Sequence, residues 1–357
     1  MAARQYAGEP LRRAPQGAAS CGTLLAYAEG AMWFEELMGF AEQSPEQVRS
    51  KIRCDGERLI SGVNGRVVRC GRLTTPSLAE LRAAVGAGAG EGPATVREVV
   101  GDVRALHMAP ENAGALFQAA SQFNLLEMAG PGVTPEQGVG IYEHDRTQGP
   151  ACAVACGGGT IYRNYFAPVR SGGVERVGQT AEHQIDCLAE LGEALGGPGL
   201  WEMRNGYALA TTAGLQTINA RLAACSETER DALRGLLRVG VQHEVAVLGT
   251  EHTVTQVYGS AMPVSYGRPP APLWEAMARL VLEASYEATV LAARQAGIRR
   301  LYLTLLGGGV FGNDDAWICD AVVRALGFAG GLDVRIVSYG APKPVVARII
   351  REHRARA

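Results

Sequence analysis

One stretch constrains this chain more than any other. It runs from Leu301-Tyr-Leu-Thr-Leu-Leu306 through Gly307-Gly-Gly-Val-Phe-Gly-Asn313 to a helix-periodic segment, Asp314 to Leu326, and ends in the apolar Leu332 to Tyr339. Strand, glycine loop, helix and strand in that order form a crossover unit, which needs parallel strands in a sheet flanked by helices. Upstream, Trp274 to Ala296 carries Leu280, Val281, Ala284, Ala288 and Leu291 three and four apart, and Gly297 stands where that helix should end. The segments around NGYALATT, HEVAVLG and TVTQVYGSAMPVSY are rich in Val, Thr and Tyr and read as strands. The fold class expected from this pattern is therefore α/β with parallel strands.

The chain opens differently. Thr23 to Phe40 has helical apolar spacing, and Ser44-Pro45-Glu46 starts a second helix with Ser as N-cap and Pro at its first position. Asn64-Gly65 lies between two short strand-like runs and predicts a hairpin. Ser77 caps LAELRAAV, and the glycine-rich joint 86–93 follows. These features predict an N-terminal helical and hairpin appendage over 1–94, a main domain over 95–345 and a basic C-terminal tail over 346–357. Within the main domain Val96 to Leu106 reads as a strand, Pro110-Glu-Asn112 as a turn and Leu116 to Ala120 as a second strand. The loop between Glu136 and Gln148 gathers Tyr142, Glu143, His144, Asp145 and Arg146.

Composition sets the class of partner less sharply. Of 357 residues, 34 are Lys or Arg and 36 are Asp or Glu, so a net charge of −2 gives no general attraction to nucleic acid or anionic membranes. No apolar run approaches the roughly 18 to 20 residues of a membrane helix. Eight cysteines lack framework spacing in a chain large enough to need no staples, which predicts reduced thiols and an intracellular, cytoplasmic or nuclear setting. Cys152 and Cys156 have no second pair to complete a zinc site and read as buried thiols. His243-Glu244 and Glu251-His252 lack the spacing of a zinc protease, and no Gly-x-Ser-x-Gly elbow occurs. Neither a metal nor a cofactor is expected.

Three templates compete for the glycine loop. Its backbone N–H groups, ahead of a helix, can converge on a phosphate because glycine leaves no Cβ in the way. The Walker pattern fails, since Gly312 is followed by Asn313 and Asp314. Gly307, Gly309 and Gly312 satisfy the dinucleotide fingerprint literally, but Ser338 and Tyr339 stand where the ribose-binding acid belongs. A βα turn without a ligand is the third reading of the residues alone.

A resemblance adds to this. LVLEASYEATVLAARQAGIRRLYLTLLGGGVFGN resembles the macrodomain superfamily, with GVFGND closest to its poly(ADP-ribose) glycohydrolase-like branch. Val99-Val-Gly-Asp-Val-Arg-Ala-Leu106 resembles the opening strand of that family, and Leu116 to Asn124 with Gly130-Pro-Gly-Val133 resembles its ribose loop. The resemblance spans about residues 95–345 and implies a three-layer macrodomain-like fold that binds ADP-ribose or an ADP-ribosylated macromolecule, nucleic acid only if so modified. By that resemblance Asp102 and Val103 would meet adenine, Asn124, Gly132 and Val133 the distal ribose, and Gly307, Gly308, Gly309, Val310, Phe311, Gly312 and Asn313 the diphosphate. Gln118-Ala-Ala-Ser121 replaces the family's Asn-Ala-Ala-Asn, and its Gln-Glu-Glu motif is absent.

Hydrolysis at the ribose anomeric carbon passes through an oxocarbenium-like state, which asks for a nearby carboxyl group or a water held by the substrate phosphate. Glu127, Glu143 and Asp145 are the candidates, and Glu127 and Asp145, with Asn124 to orient the ribose, are the catalytic residues expected. Two alternatives stay open: a reader module that binds without cleaving, and an NAD-dependent oxidoreductase built on the glycine fingerprint.

Overall fold

The computed structural model describes residues 33–86, 90, 92–171 and 173–356, and residues 32–357 form one compact unit. Its strands are β1 (Ile52–Asp55), β2 (Arg58–Ser61), β3 (Val67–Arg69), β4 (Arg72–Thr74), β5 (Thr95–Val100), β6 (Leu116–Ala120), β7 (Pro168–Ser171), β8 (Val174–Val177), β9 (Trp201–Arg204), β10 (Tyr207–Ala210), β11 (Gly240–Ala246), β12 (Thr253–Gly259), β13 (Arg300–Leu303) and β14 (Asp333–Ser338). Its helices are α1 (Trp33–Met38), α2 (Pro45–Lys51), α3 (Leu78–Val85), α4 (Val103–Met108), α5 (Gln148–Ala155), α6 (Gly157–Tyr165), α7 (Ala189–Leu195), α8 (Thr212–Ala224), α9 (Glu227–Gly235), α10 (Ala271–Gln295), α11 (Asp315–Leu326) and α12 (Pro344–Arg356).

The central sheet has seven strands in the order β4-β11-β12-β6-β13-β14-β5. From β12 to β5 every neighbouring pair is parallel, and β11 and β4 extend that edge antiparallel. Alternation along β6 separates the layers: Gln118 donates to Thr289 of α10 on one face, while Phe117 stacks on His107 of α4 on the other. A helical layer therefore covers each face. The five parallel strands share one direction, so the loops that leave their C-terminal ends gather along one rim.

Local chemistry explains most elements. Ser44 and Ser77 cap α2 and α3, the latter in a capping box with Glu80, and Asp314 caps α11. Gly297 adopts φ +68° directly after α10. Val96 to Leu106 is not one strand: Asp102 accepts from the Ala105 N–H and starts α4, so the strand stops at Val100. The hairpin around Asn64-Gly65 is longer than a two-residue turn, because the Ser61 hydroxyl accepts from Val63 and Asn64 and holds loop 62–65. Of the helix expected over 23–40, residues 23–32 lie outside the described residues, as do 87–89 and 91 of the glycine joint.

The expected joint between appendage and main domain connects parts of one unit. β4, from the appendage side, is hydrogen-bonded to β11 in the central sheet, and α3 packs on α10. Likewise 344–356 is no tail but a helix whose Val345, Val346 and Ile349 are buried.

The sequence does not announce α6, which opens on the poor helix formers Gly157-Gly-Gly159. A Cβ on Gly157 would come within 2.5 Å of the Trp33 ring, and one on Gly158 within 2.7 Å of Val68 Cγ1. These glycines let α6 lie directly on the segment that packs against it. Gly157→Ala is therefore expected to destabilise the fold by about 1 to 3 kcal/mol through overpacking, where an open helix position would gain about 1 kcal/mol. Denaturant midpoints with unchanged slopes would verify this, and a gain would show that the Trp33 contact gives way.

Candidate functional site

The rim of the parallel strands carries a groove in two adjoining lobes. One, of about 190 Å³, is walled by loop 120–129, residues 145–150, Tyr207, Tyr266 and the glycine loop; the other, of about 300 Å³, by Gly101 to Val103, Arg146, Ser338, Tyr339 and Lys343. Thr147, Gln148, Thr304 and Leu305 line both, so the lobes lie side by side.

The glycine loop is held from beneath. Tyr286 of α10 donates to the Thr304 carbonyl and accepts from the Leu306 N–H, while the Asn313 amide donates to the Met262 carbonyl. Gly307 and Gly312 adopt φ +74° and +71°, and a Cβ on Gly312 would lie 2.0 Å from Ser265 Oγ. The Asn313 and Gly312 N–H groups close the loop on the carbonyls of Gly307 and Gly309. Those of Gly309, Val310 and Phe311 donate to no partner among the described residues, which leaves them for an anion. Phe311 also meets Tyr207 and Tyr266 at 5.3 and 5.7 Å between ring centroids, an aromatic wall at one end of the groove.

Loop 121–128 is braced by a second element. Asn205 and Gly206, at φ +48° and +78°, make the tight turn between β9 and β10, and the Gly206 carbonyl accepts from the Phe123 N–H. The Tyr207 hydroxyl donates to the Met128 carbonyl, and Gln122 accepts from the Met128 N–H. At the end of β6 the Gln148 side chain accepts from the Ala120 N–H and donates to the Gln118 carbonyl, capping the strand at the groove floor.

Glu127 lines this lobe, yet its carboxylate is wholly buried and paired with the equally buried Arg163, at 3.4 Å from Nη2 to each oxygen. Burial pushes its carboxyl up to about 7, and the attraction of Arg163 offsets only part of that. Asp145 lines the same lobe and accepts from the Thr147 N–H. Asp102 and Val103 line the other lobe.

Several expected residues lie elsewhere. Asn124 is buried, its Oδ1 accepting from the Leu126 N–H and its amide donating to Gln184, so its side chain builds the loop and does not face the groove. Gly132 and Val133 line neither lobe, and Val133 packs against the apolar cluster of α1 and α6. Gly308, Gly312 and Asn313 shape the glycine loop without lining it. Glu143 accepts from the Trp33 N–H. Tyr207, Tyr266 and Thr304 carry no local sequence signal of a site, although Asn205-Gly206 marks the turn that delivers Tyr207.

Cys152 and Cys156 are buried free thiols. A grouping of Cys319, Asp320 and Glu352 has metal-ligand chemistry, but Arg279 and Arg348 already engage its carboxylates. Among the described residues no helix is long and apolar enough to cross a membrane.

The chain is similar in structure to poly(ADP-ribose) glycohydrolases. The enzyme from Thermomonospora curvata matches with 16% identity and a TM-score of 0.41, over 87% of this chain and 96% of its own. The enzyme from Deinococcus radiodurans in complex with ADP-ribose matches with 15% identity and a TM-score of 0.41, over 80% and 94%. No protein-family model and no curated protein matches the chain.

Proposed function

We propose that this protein binds ADP-ribose, free or attached to a macromolecule, along the groove and hydrolyses the linkage at the distal ribose. The observation that carries the reading is the meeting of three unlike features in two adjoining lobes: Asp102 in one, and the unpartnered N–H groups of the glycine loop together with Glu127 in the other. An elongated ligand with an amino-bearing base, a diphosphate and a sugar would satisfy each in turn. Arg146 and Lys343 line the lobe of Asp102 and add positive charge there.

In the proposed reaction the bond between the anomeric carbon and the leaving oxygen breaks as positive charge develops on the ribose. The protonated Glu127 carboxyl gives its proton to the leaving oxygen, and the resulting carboxylate takes one back from the water that adds to the carbon. A carboxyl raised to about 7 is suited to both halves. Binding without cleavage is favoured by one feature, the complete burial of the Glu127 side chain against Arg163.

Calorimetry with ADP-ribose, AMP and NAD, followed by single-turnover release of ADP-ribose from modified protein and modified DNA, tests the reading. Tight binding with no release from either substrate would leave the reader module in its place. Preference for NAD with hydride transfer would return the oxidoreductase reading.

Asp102 gives a cleaner test than simple deletion, because its side chain also caps α4. Asp102→Ser keeps a capping oxygen and should lose about 1.5 to 3 kcal/mol of ADP-ribose binding, the range for a hydrogen bond to a charged group. Binding of ribose 5-phosphate should be unaltered; an equal loss for both ligands would remove the contact with adenine.

A further inference from the structure

We propose that Arg163, which lies outside the groove, is the positioning residue for Glu127, fixing where its carboxyl sits and governing its charge. The inference rests on Glu127 acting in the proposed hydrolysis, but the interaction can be measured without turnover.

The guanidinium is fully buried on α6 and lies 3.6 Å from the centroid of the Tyr258 ring of β12, which sets its plane. Its Nε donates to the Leu125 carbonyl at 2.8 Å, and Nη2 reaches both Glu127 oxygens and Thr160 Oγ1, while Nη1 has no partner among the described residues. Apart from Thr160 and Tyr258, the groups that the guanidinium meets all belong to residues 125–127. Leu125 adopts φ +65°, a conformation that a branched side chain rarely takes unless held. The hold comes from Arg163 together with Asn124 Oδ1 on the Leu126 N–H and the Tyr142 hydroxyl on the Glu127 N–H. Arg163 thus both helps to hold the turn that delivers Glu127 and sits against its carboxylate.

The charge follows from the same geometry. Around Glu127 stand Arg163 from α6, Tyr142 from the turn 140–144, Tyr258 from β12 and Cys152 from α5. Burial drives the tyrosines and the thiol well above their ordinary values, so they stay neutral in the working range. Arg163 is the remaining positive charge against the carboxylate, and its removal must make Glu127 a weaker acid. The direction is the same whether Glu127 serves as acid or as base, so its limb of the pH–rate profile must move upward.

The experiment is a carbon-13 carboxyl titration of the full chain labelled at glutamate, with the Glu127 signal assigned by its loss in Glu127→Gln. In Arg163→Met the Glu127 midpoint should rise by at least one pH unit, a tenfold weaker acid, and in Arg163→Lys by less. The limb of the kcat profile should move with the signal while KM changes little. An unchanged Glu127 midpoint in Arg163→Lys and Arg163→Met would overturn the assignment, as would a fall in kcat without movement of the profile. If Arg163→Met does not fold, Arg163→Lys alone decides, since an ammonium cannot reproduce the fork that spans Leu125 and Glu127. A moved midpoint in a protein that releases no ADP-ribose would retain the role of Arg163 and sink the hydrolase reading instead.

Discussion

Glu127→Gln is expected to lower single-turnover release of ADP-ribose by about 10² to 10⁴-fold, the usual worth of a positioned acid or base. Affinity for ADP-ribose should barely change, because the amide keeps the shape of the carboxyl and the diphosphate contacts lie elsewhere. In the wild type the rate should fall as pH rises through about 7, where the folded carboxyl loses its proton. The same ionisation leaves a trace on stability. A carboxyl whose value is raised from 4.5 to about 7 on folding binds its proton more tightly in the native state, so its contribution is full below 4.5 and lost as pH climbs through 7. Glu127→Gln should lack that decline. Comparable turnover by wild type and variant would move the chemistry to Asp145, whose amide variant should then show the loss.

The second large effect belongs to the glycine loop. Gly309→Glu should weaken ADP-ribose binding by more than about 100-fold, since it sets a carboxylate against a diphosphate and like charges at such contacts cost several kcal/mol. Its Cβ would meet nothing within 4 Å, so the thermal transition should stay where it is. Gly312→Ala makes the contrast. There the Cβ would lie 2.0 Å from Ser265 Oγ at a φ of +71°, so loss of binding should come with loss of stability. Undiminished binding by Gly309→Glu would take the loop out of the site.

The N-terminal segment gains a purpose in this setting. Glu42 accepts from the Val139 and Gly140 N–H groups and from the Tyr165 hydroxyl, and Glu143 accepts from the Trp33 N–H. The first described residues therefore fasten the chain that runs from loop 130–133 to Asp145. That segment is part of the scaffold of the groove.

By itself the sequence determined what depends on near neighbours. The strand, glycine loop and helix at 301–326, the long α10 and the caps at Ser44 and Ser77 were legible, because each signal is written within a few residues. The tertiary structure decided what depends on distant partners. It made Gly157-Gly-Gly159 helical because Trp33, Val68 and Val245 approach where a Cβ would stand, and it joined β4 to the sheet across some 170 residues of chain through β11. It turned the Asn124 side chain away from the groove to close its own loop, and brought Tyr207 and Tyr266 to Phe311. Above all it set Arg163 against Glu127, because burial and the charge beside a buried carboxyl arise only when helix, strand and loop have packed together.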